Sequence, residues 1–334
     1  MTLPPLDSDL RARLIAPPSG RVDVVIDADA TNEIDDQLAI VWAMLRPDRI
    51  NLLALHACPY AHSRELLEEA AFLTDVDRQD FAAMGIRADT IKEITAAEGV
   101  ERAAAECRRM AELVGVDVPT VDGSREMMRS PEAPVRSEAV DSLIALAHQD
   151  REGPLQVLAI GAATNVASAV LVDPTIRERI CVSWTSAYPS FWPHPNASFN
   201  MAQDLHASRA LLDSGVPLVY LPGYYVGEQL RISLPELKQH VRGKGRLGDA
   251  LYDLCVTNRH LTEALGASKV MWDLINVAWV VDPSWLSTHV VPTPRLDDDL
   301  RWRTDATRPD MREATSVNRN AVYADFFRVL AEQA

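Results

Sequence analysis

Apolar residues along this chain fall into short β-branched runs, separated by stretches in which they recur every three or four positions. Arg21 to Asp29 (RVDVVIDAD) is a run of the first kind that ends in acids, and Asp36 to Leu45 (DQLAIVWAML) is a stretch of the second. They predict a strand, a polar loop and a helix. Ile50 to Ala57 (INLLALHA) predicts a second strand and Ser63 to Leu73 a second helix. A β-α-β-α opening of this kind favours a parallel sheet covered by helices.

Thr74 to Ile94 turns polar and irregular, which reads as an excursion over the surface, and Glu98 to Val114 follows as a strongly amphipathic helix. Ala139 to His148 predicts a helix, Leu155 to Ile160 a short buried strand, and Ala163 to Leu171 the helix after it. Ile180 to Ser186 and Pro217 to Leu221 supply two further strands, with a helix from Leu205 to Asp213 between them. Pro235 to Leu265 reads as helical with a basic loop at Arg242 to Arg246, and Ile275 to Val281 as one more buried helix. No Gly/Ser linker or repeat divides the chain. Residues 1–334 are therefore expected to form one α/β domain, an open, mostly parallel sheet flanked by helices, with helical insertions. In such sheets ligands bind where loops leave the carboxyl ends of the strands.

Composition narrows the partners. Apolar residues make up 47% and charged ones 24%, ordinary globular proportions, and no stretch is long and apolar enough to cross a bilayer. No membrane partner is expected. A net charge of -15 opposes binding to a phosphate backbone, so no nucleic acid is expected either. Met1 to Pro18 lacks the basic-then-apolar layout of a secretory signal, and cytoplasmic residence is the expectation. Cys58, Cys107, Cys181 and Cys255 form no zinc or disulfide spacing and read as reduced, mostly buried thiols.

Candidate chemistry concentrates after the first strand. In Asp27-Ala-Asp29-Ala-Thr-Asn32-Glu33-Ile-Asp35-Asp36, five carboxylates and one amide fall within ten residues. Like-charge repulsion in such a loop is offset most directly by a bound cation. Hard oxygen donors with no His or Cys nearby suit Ca²⁺ or Mg²⁺ rather than zinc. A plainer reading stands beside this one: Asp at the start of a helix commonly caps it. Capping is the simpler role for Asp36 taken alone, and the default for Asp273 ahead of its apolar helix.

The acidic loop resembles the nucleoside hydrolase signature Asp-x-Asp-Pro-Gly-x-Asp-Asp, in a variant form with Asn-Glu-Ile-Asp-Asp and a loop two residues longer. Further blocks resemble that family in its own order: Leu158 to Asp173, Phe199 to Asp204, and Trp272 to Val281 with Asp282-Pro283 behind it. The similarity runs from about Val24 to Pro283. It implies that Asp29 is both a metal contact and the general base. Asp35, Asp36 and Asp273 would be carboxylate ligands to Ca²⁺, with the backbone carbonyl of Ile160 a further one.

The resemblance also implies hydrolysis of the N-glycosidic bond of a ribonucleoside or related N-riboside by metal-activated water, in a homodimer or homotetramer. Asn200 would bond ribose hydroxyls. His62, in Cys58-Pro-Tyr-Ala-His62-Ser, would replace a ribose-contacting Asn. Asn32 and Asn165 would support the site, capping its helix being the other role open to Asn165. Trp192 falls near another Asn of the family. Two positions depart from the pattern. Ser198 stands where a Glu usually meets the sugar's 5′ end, and Trp272 stands where a His usually protonates the leaving base. Trp272 can instead stack on an aromatic base. These departures keep two alternatives open: a hydrolase of the same scaffold acting on a non-ribosyl or modified nucleoside, and a non-catalytic, calcium-dependent nucleoside- or sugar-binding protein.

Overall fold

The computed structural model describes residues 4–62, 92–257 and 266–333. The helix expected at Ser63 to Leu73, most of the excursion up to Ile94, and the end of the helical stretch before Leu265 lie outside the described residues.

Valine- and isoleucine-rich runs form the strands that build the centre. They are β1 (Val22–Ala28), β2 (Ile50–Ala57), β3 (Thr120–Asp122), β4 (Leu155–Ala159), β5 (Ile180–Ser186) and β6 (Leu218–Pro222). Two short strands, β7 (Arg231–Ser233) and β8 (Ser268–Val270), pair apart from them. Near the end come β9 (Leu286–Pro292), the small β10 (Arg295–Leu296) and β11 (Trp302–Arg303) pair, and β12 (Asp310–Val317). The main sheet has eight strands in the order β3-β2-β1-β4-β5-β6-β12-β9. Its neighbours run parallel except β9, which is antiparallel to β12 at one edge.

Alternate side chains leave opposite faces of a strand, and here both faces are covered. Val24 and Ile26 join an apolar layer with the helices Asp35–Met44, Ala96–Val114, Leu274–Val281 and Arg319–Ala331. Val25, between them, joins the other layer with Glu138–Ala147, Thr164–Val172 and Leu205–Asp213. The Asp35–Met44 helix is buried on every side, its acidic first turn included, because other helices enclose it. No described helix is long and apolar enough to cross a membrane.

The connections place the site. From β1 the chain runs outward to β2 and β3, then returns to β4 on the other side of β1. The crevice between the carboxyl ends of β1 and β4 is thus the switch point at which open parallel sheets hold ligands. Strand β1 ends at Ala28, one residue short of the run expected from sequence, so Asp29 is the first residue freed from the ladder. Ile160 is likewise the first residue past β4.

The last fifty residues differ from expectation. Strands β9 and β12 and the Arg319–Ala331 helix were not anticipated. Strand β12 carries Arg312 and the fully buried Glu313 among its apolar residues, which masks the alternation that announces a strand.

Candidate metal centre

Asp35, Asp36 and Asp273 are buried, and each offers a carboxylate oxygen so placed that the three lie within 4.8 Å of one another. Asp35 and Asp36 open the Asp35–Met44 helix, whose N-cap is Ile34 with no side-chain cap bond. Asp273 does stand at the N-cap of Leu274–Val281, yet its side chain caps nothing. Neither side chain caps its helix; of the two roles open to Asp36 and Asp273, the carboxylates' mutual approach favours that of ligand.

Asp29 reaches the same group from the end of β1, 2% exposed and near enough to push up the carboxyls of both Asp36 and Asp273. Its side chain lies against Gly161, where a Cβ would stand 3.1 Å from Asp29 Cβ and Cγ. Only glycine leaves that space. Asn32 Nδ2 donates to Asp29 Oδ2 (3.2 Å), and Asn32 Oδ1 lies 2.8 Å from His62 Nε2. An amide oxygen only accepts, so His62 holds its proton on Nε2. His62 is thereby placed on Asn32, with its ring edge-on to Phe199.

Electrostatics describe the same crowding. Burial, then the charge of Asp35, raises the Asp29 carboxyl well above its ordinary range. Burial followed by neighbouring carboxylates does so for Asp36 and Asp273. Burial and Glu33 raise Asp35 to about 6, while Lys269 works the other way. Lys269, itself buried, forms an ion pair with Glu33 at the rim of the cluster. Asp27 is pushed to about 7 by burial although Asn165 Nδ2 donates to it at 2.7 Å. Asn165 also donates to Ala57 O and accepts from Ser124 N, so it bridges strand ends and does not cap its helix.

Four carboxylates gathered in low dielectric carry a large desolvation and repulsion cost. Asp36 Oδ1 is buried with no hydrogen-bond partner among the described residues. An orphaned anionic oxygen within an all-oxygen donor set fits calcium.

The backbone around the cluster is secured by amides. Asn200 Nδ2 donates to Ile160 O and Thr185 O, both at 3.1 Å, which places Asn200 on the carbonyl that follows β4. Asn276, wholly buried in the Leu274–Val281 helix, donates to Ser183 O at 3.0 Å and Ala159 O at 3.4 Å and accepts from the Thr185 hydroxyl. It locks the helix that carries Asp273 onto β4 and β5. Sequence reading missed Asn276, although a lone amide inside an apolar helix was a visible signal. It also missed Lys269, which carried none.

An aromatic wall adjoins the acids. Trp272 N donates to Asp35 Oδ2 at 3.0 Å, and the Trp272 ring meets Tyr224 at 5.7 Å. Tyr224 lies 4.8 Å from Tyr188, on which Trp192 stacks at 6.0 Å. Ser198 caps the short Phe199–Ala202 helix and bonds Ser186 Oγ at 2.8 Å.

An α/β sheet with an acidic, oxygen-lined cation site at its switch point defines a calcium-binding protein of the doubly covered parallel-sheet class. The chain belongs to the inosine-uridine preferring nucleoside hydrolase family, whose model matches residues 24–324. It is similar to the non-specific ribonucleoside hydrolase RihC of Salmonella paratyphi A, 29% identical over 134 residues; that stretch spans 39% of this chain and 42% of the relative, less than half of either. Among solved structures it resembles the plant nucleoside hydrolase PpNRh1, with TM-score 0.66, 20% identity and 93% of this chain and 99% of that one covered. It also resembles the purine-preferring ribonucleoside hydrolase of Gardnerella vaginalis, with TM-score 0.66, 19% identity and 93% and 98% covered. At these identities the structural likenesses establish the fold.

Proposed function

We propose that this protein hydrolyses the N-glycosidic bond of a ribonucleoside or related N-riboside, with calcium as its cofactor. The observation that carries this reading is the convergence of Asp35, Asp36 and Asp273 with Asp29 beside them, from two segments remote in sequence. The nucleoside substrates named for RihC and the Gardnerella vaginalis enzyme point the same way.

Asp29, Asp35, Asp36 and Asp273 would hold the ion, with the Ile160 carbonyl as a neutral donor. Calcium, when bound, would supply positive charge that offsets these carboxylates and makes a nearby water more acidic. Asp29 accepts the proton of the attacking water, a role that requires hydrogen-bond reach and a fixed carboxylate. Asn32 provides the fixing, and His62 holds Asn32. Asn200 commits its amide hydrogens to two main-chain carbonyls, leaving Oδ1 to accept from a sugar hydroxyl. Attack on the face opposite the leaving base inverts the anomeric centre through an oxocarbenium-like transition state. The Trp272 indole N–H is not acidic enough to protonate the base, so that proton comes from another group or from solvent, or is not needed where the leaving group is already activated.

Replacing Asp29 by Ala should lower base release by about 10²- to 10⁴-fold in a protein that still folds, as read by product chromatography. Unchanged turnover removes Asp29 from the mechanism, and full activity in excess EGTA removes calcium.

Ser198 favours a second reading. Its hydroxyl is tied to Ser186, and no carboxylate stands at its position for the sugar's 5′ end. A modified or non-ribosyl nucleoside suits that loss. Appreciable base release from inosine, uridine or adenosine would count against it.

All four cysteines are free and buried, which suits a reducing compartment, and we place the protein in the cytoplasm as a homodimer or homotetramer. Light scattering on the purified chain tests the assembly.

A further inference from the structure

Glu313, on β12, is wholly buried, and its one ionic partner among the described residues is His289, on the neighbouring strand in register with it. Burying a carboxylate without a full counter-charge is costly unless its oxygens are well satisfied. Here both oxygens serve one purpose. Oε1 accepts from Ser190 N at 2.6 Å and Oε2 from the Ser190 hydroxyl at 2.8 Å, with His289 Nε2 also 2.8 Å from Oε2. Charge-assisted bonds of this kind are among the stronger ones a protein makes.

Ser190 belongs to the proline-rich segment 187–198, which has no ladder to hold it between β5 and the Phe199–Ala202 helix. Its other ties come from β6, next to β5, and from the separate β10–β11 region, with a main-chain bond from Tyr224 N to Ala187 O at 3.2 Å. Tyr188 O accepts from Tyr220 OH (3.0 Å) and Trp302 Nε1 (2.9 Å), and Asn196 bonds Leu300 O. This segment presents Tyr188 and Trp192. The ring contacts Trp192–Tyr188, Tyr188–Tyr224 and Tyr224–Trp272 run without a break to the residue whose N–H binds Asp35.

The geometry points to Glu313 as a positioning residue that, through Ser190, sets the 187–198 segment as the outer wall of the site, against which a planar aromatic leaving group lies. This rests on the N-riboside reading above and adds to it. Binding of the base depends on Glu313, while binding of the sugar and of calcium does not.

Three variants test it: Glu313→Leu, which removes the acceptor; Glu313→Gln, which keeps one; and Ser190→Ala, which spares the carboxylate should Glu313→Leu not fold. Hydrogen exchange over 187–198, read without substrate, should quicken in Glu313→Leu, less in Glu313→Gln. With a purine nucleoside, KM should rise about tenfold in Glu313→Leu with kcat within about threefold, the signature of lost uniform binding. Ser190→Ala should shift KM the same way by less, and inhibition by free ribose and calcium affinity should stay at wild-type values.

Unchanged exchange in a folded Glu313→Leu protein overturns the clamp whether or not the protein is an enzyme. A loss shared equally by ribose inhibition, calcium affinity and kcat marks general damage and overturns the positioning role. If the wild type releases no base, the hydrolase reading fails, and the nucleoside dissociation constant replaces KM, with the same tenfold weakening expected.

Discussion

Thr31 holds φ at 85°, a region that a β-branched residue enters only under constraint. It lies in the acidic loop between Asp29 and Asp35, and its hydroxyl lies 2.8 Å from Tyr60 OH. Strain of this kind costs about 1–3 kcal/mol and persists where its surroundings over-determine it. Thr31→Val keeps the strain and loses the hydroxyl contact, so it should destabilise by about 1 kcal/mol. Thr31→Gly loses the contact too but relieves the strain, and should lie nearer wild type. Urea midpoints decide, and a glycine variant weaker than the valine variant refutes the strain. His56, on β2, makes a pH prediction. Burial lowers its imidazole from 6.5 to about 4, and Nε2 lies 3.0 Å from Ser142 Oγ. Between those values the unfolded chain binds the proton and the native one does not, so the contribution of His56 to stability falls as pH drops from 6.5 toward 4. His56→Gln should flatten that decline in urea titrations. An identical pH slope in both proteins contradicts the assignment.

At the scale of an element, the Leu274–Val281 helix is the one on which the site turns. Asp273 and Asn276 are three residues apart and so lie on one face of it. Asn276 grips β4 and β5 while Asp273 turns to the acids that follow β1. Asn276→Leu would strand the Thr185 hydroxyl and two strand carbonyls in the interior, at a cost of about 1–3 kcal/mol for each buried group left unmet. The expected outcome is a lower unfolding midpoint together with calcium affinity weakened at least about tenfold, since a small displacement of Asp273 spoils the ligand set. Terbium luminescence titration reads the affinity. A variant that loses stability but binds the ion as wild type does would separate the helix anchor from the metal site.

For the molecule as a whole, the acids tie stability to both pH and calcium. Burial raises Asp35 to about 6 and raises Asp29, Asp36 and Asp273 as well, while the unfolded chain titrates near 4. Between those limits the calcium-free native state holds more protons than the unfolded one. These groups therefore favour folding at low pH, and that contribution is lost as pH rises through about 6 and beyond. Calcium requires the carboxylates ionised, so its stabilisation grows over the same window. At a hundredfold excess over its dissociation constant it adds about 2.7 kcal/mol. Urea unfolding with calcium and with EGTA should show a wide gap at pH 7.5 and a narrow one at pH 5. A gap that does not change with pH would show that the ion is held elsewhere.

The sequence by itself determined the described elements whose apolar period is uninterrupted: β1, β2, β4 to β6, and the helices Asp35–Met44, Ala96–Val114, Thr164–Val172 and Leu205–Asp213, because period separates strand from helix. It also marked the acidic loop as a place where charge must be offset, since so many carboxylates so close in the chain cannot separate. It did not reveal β12, where the buried Glu313 breaks the alternation, nor β9; the final helix was missed although Val322, Tyr323, Phe326, Val329 and Leu330 recur at helical spacing. The local pattern left cap and ligand both open for Asp36 and Asp273, and the resemblance to the nucleoside hydrolase blocks made them ligands. Both positions satisfy the same local rule, and only the packing of the Leu274–Val281 helix across β4 and β5 turns Asp273 toward the first loop. Local pattern sets what a segment is; which segments meet depends on contacts between residues more than two hundred positions apart, and the tertiary structure alone supplies those.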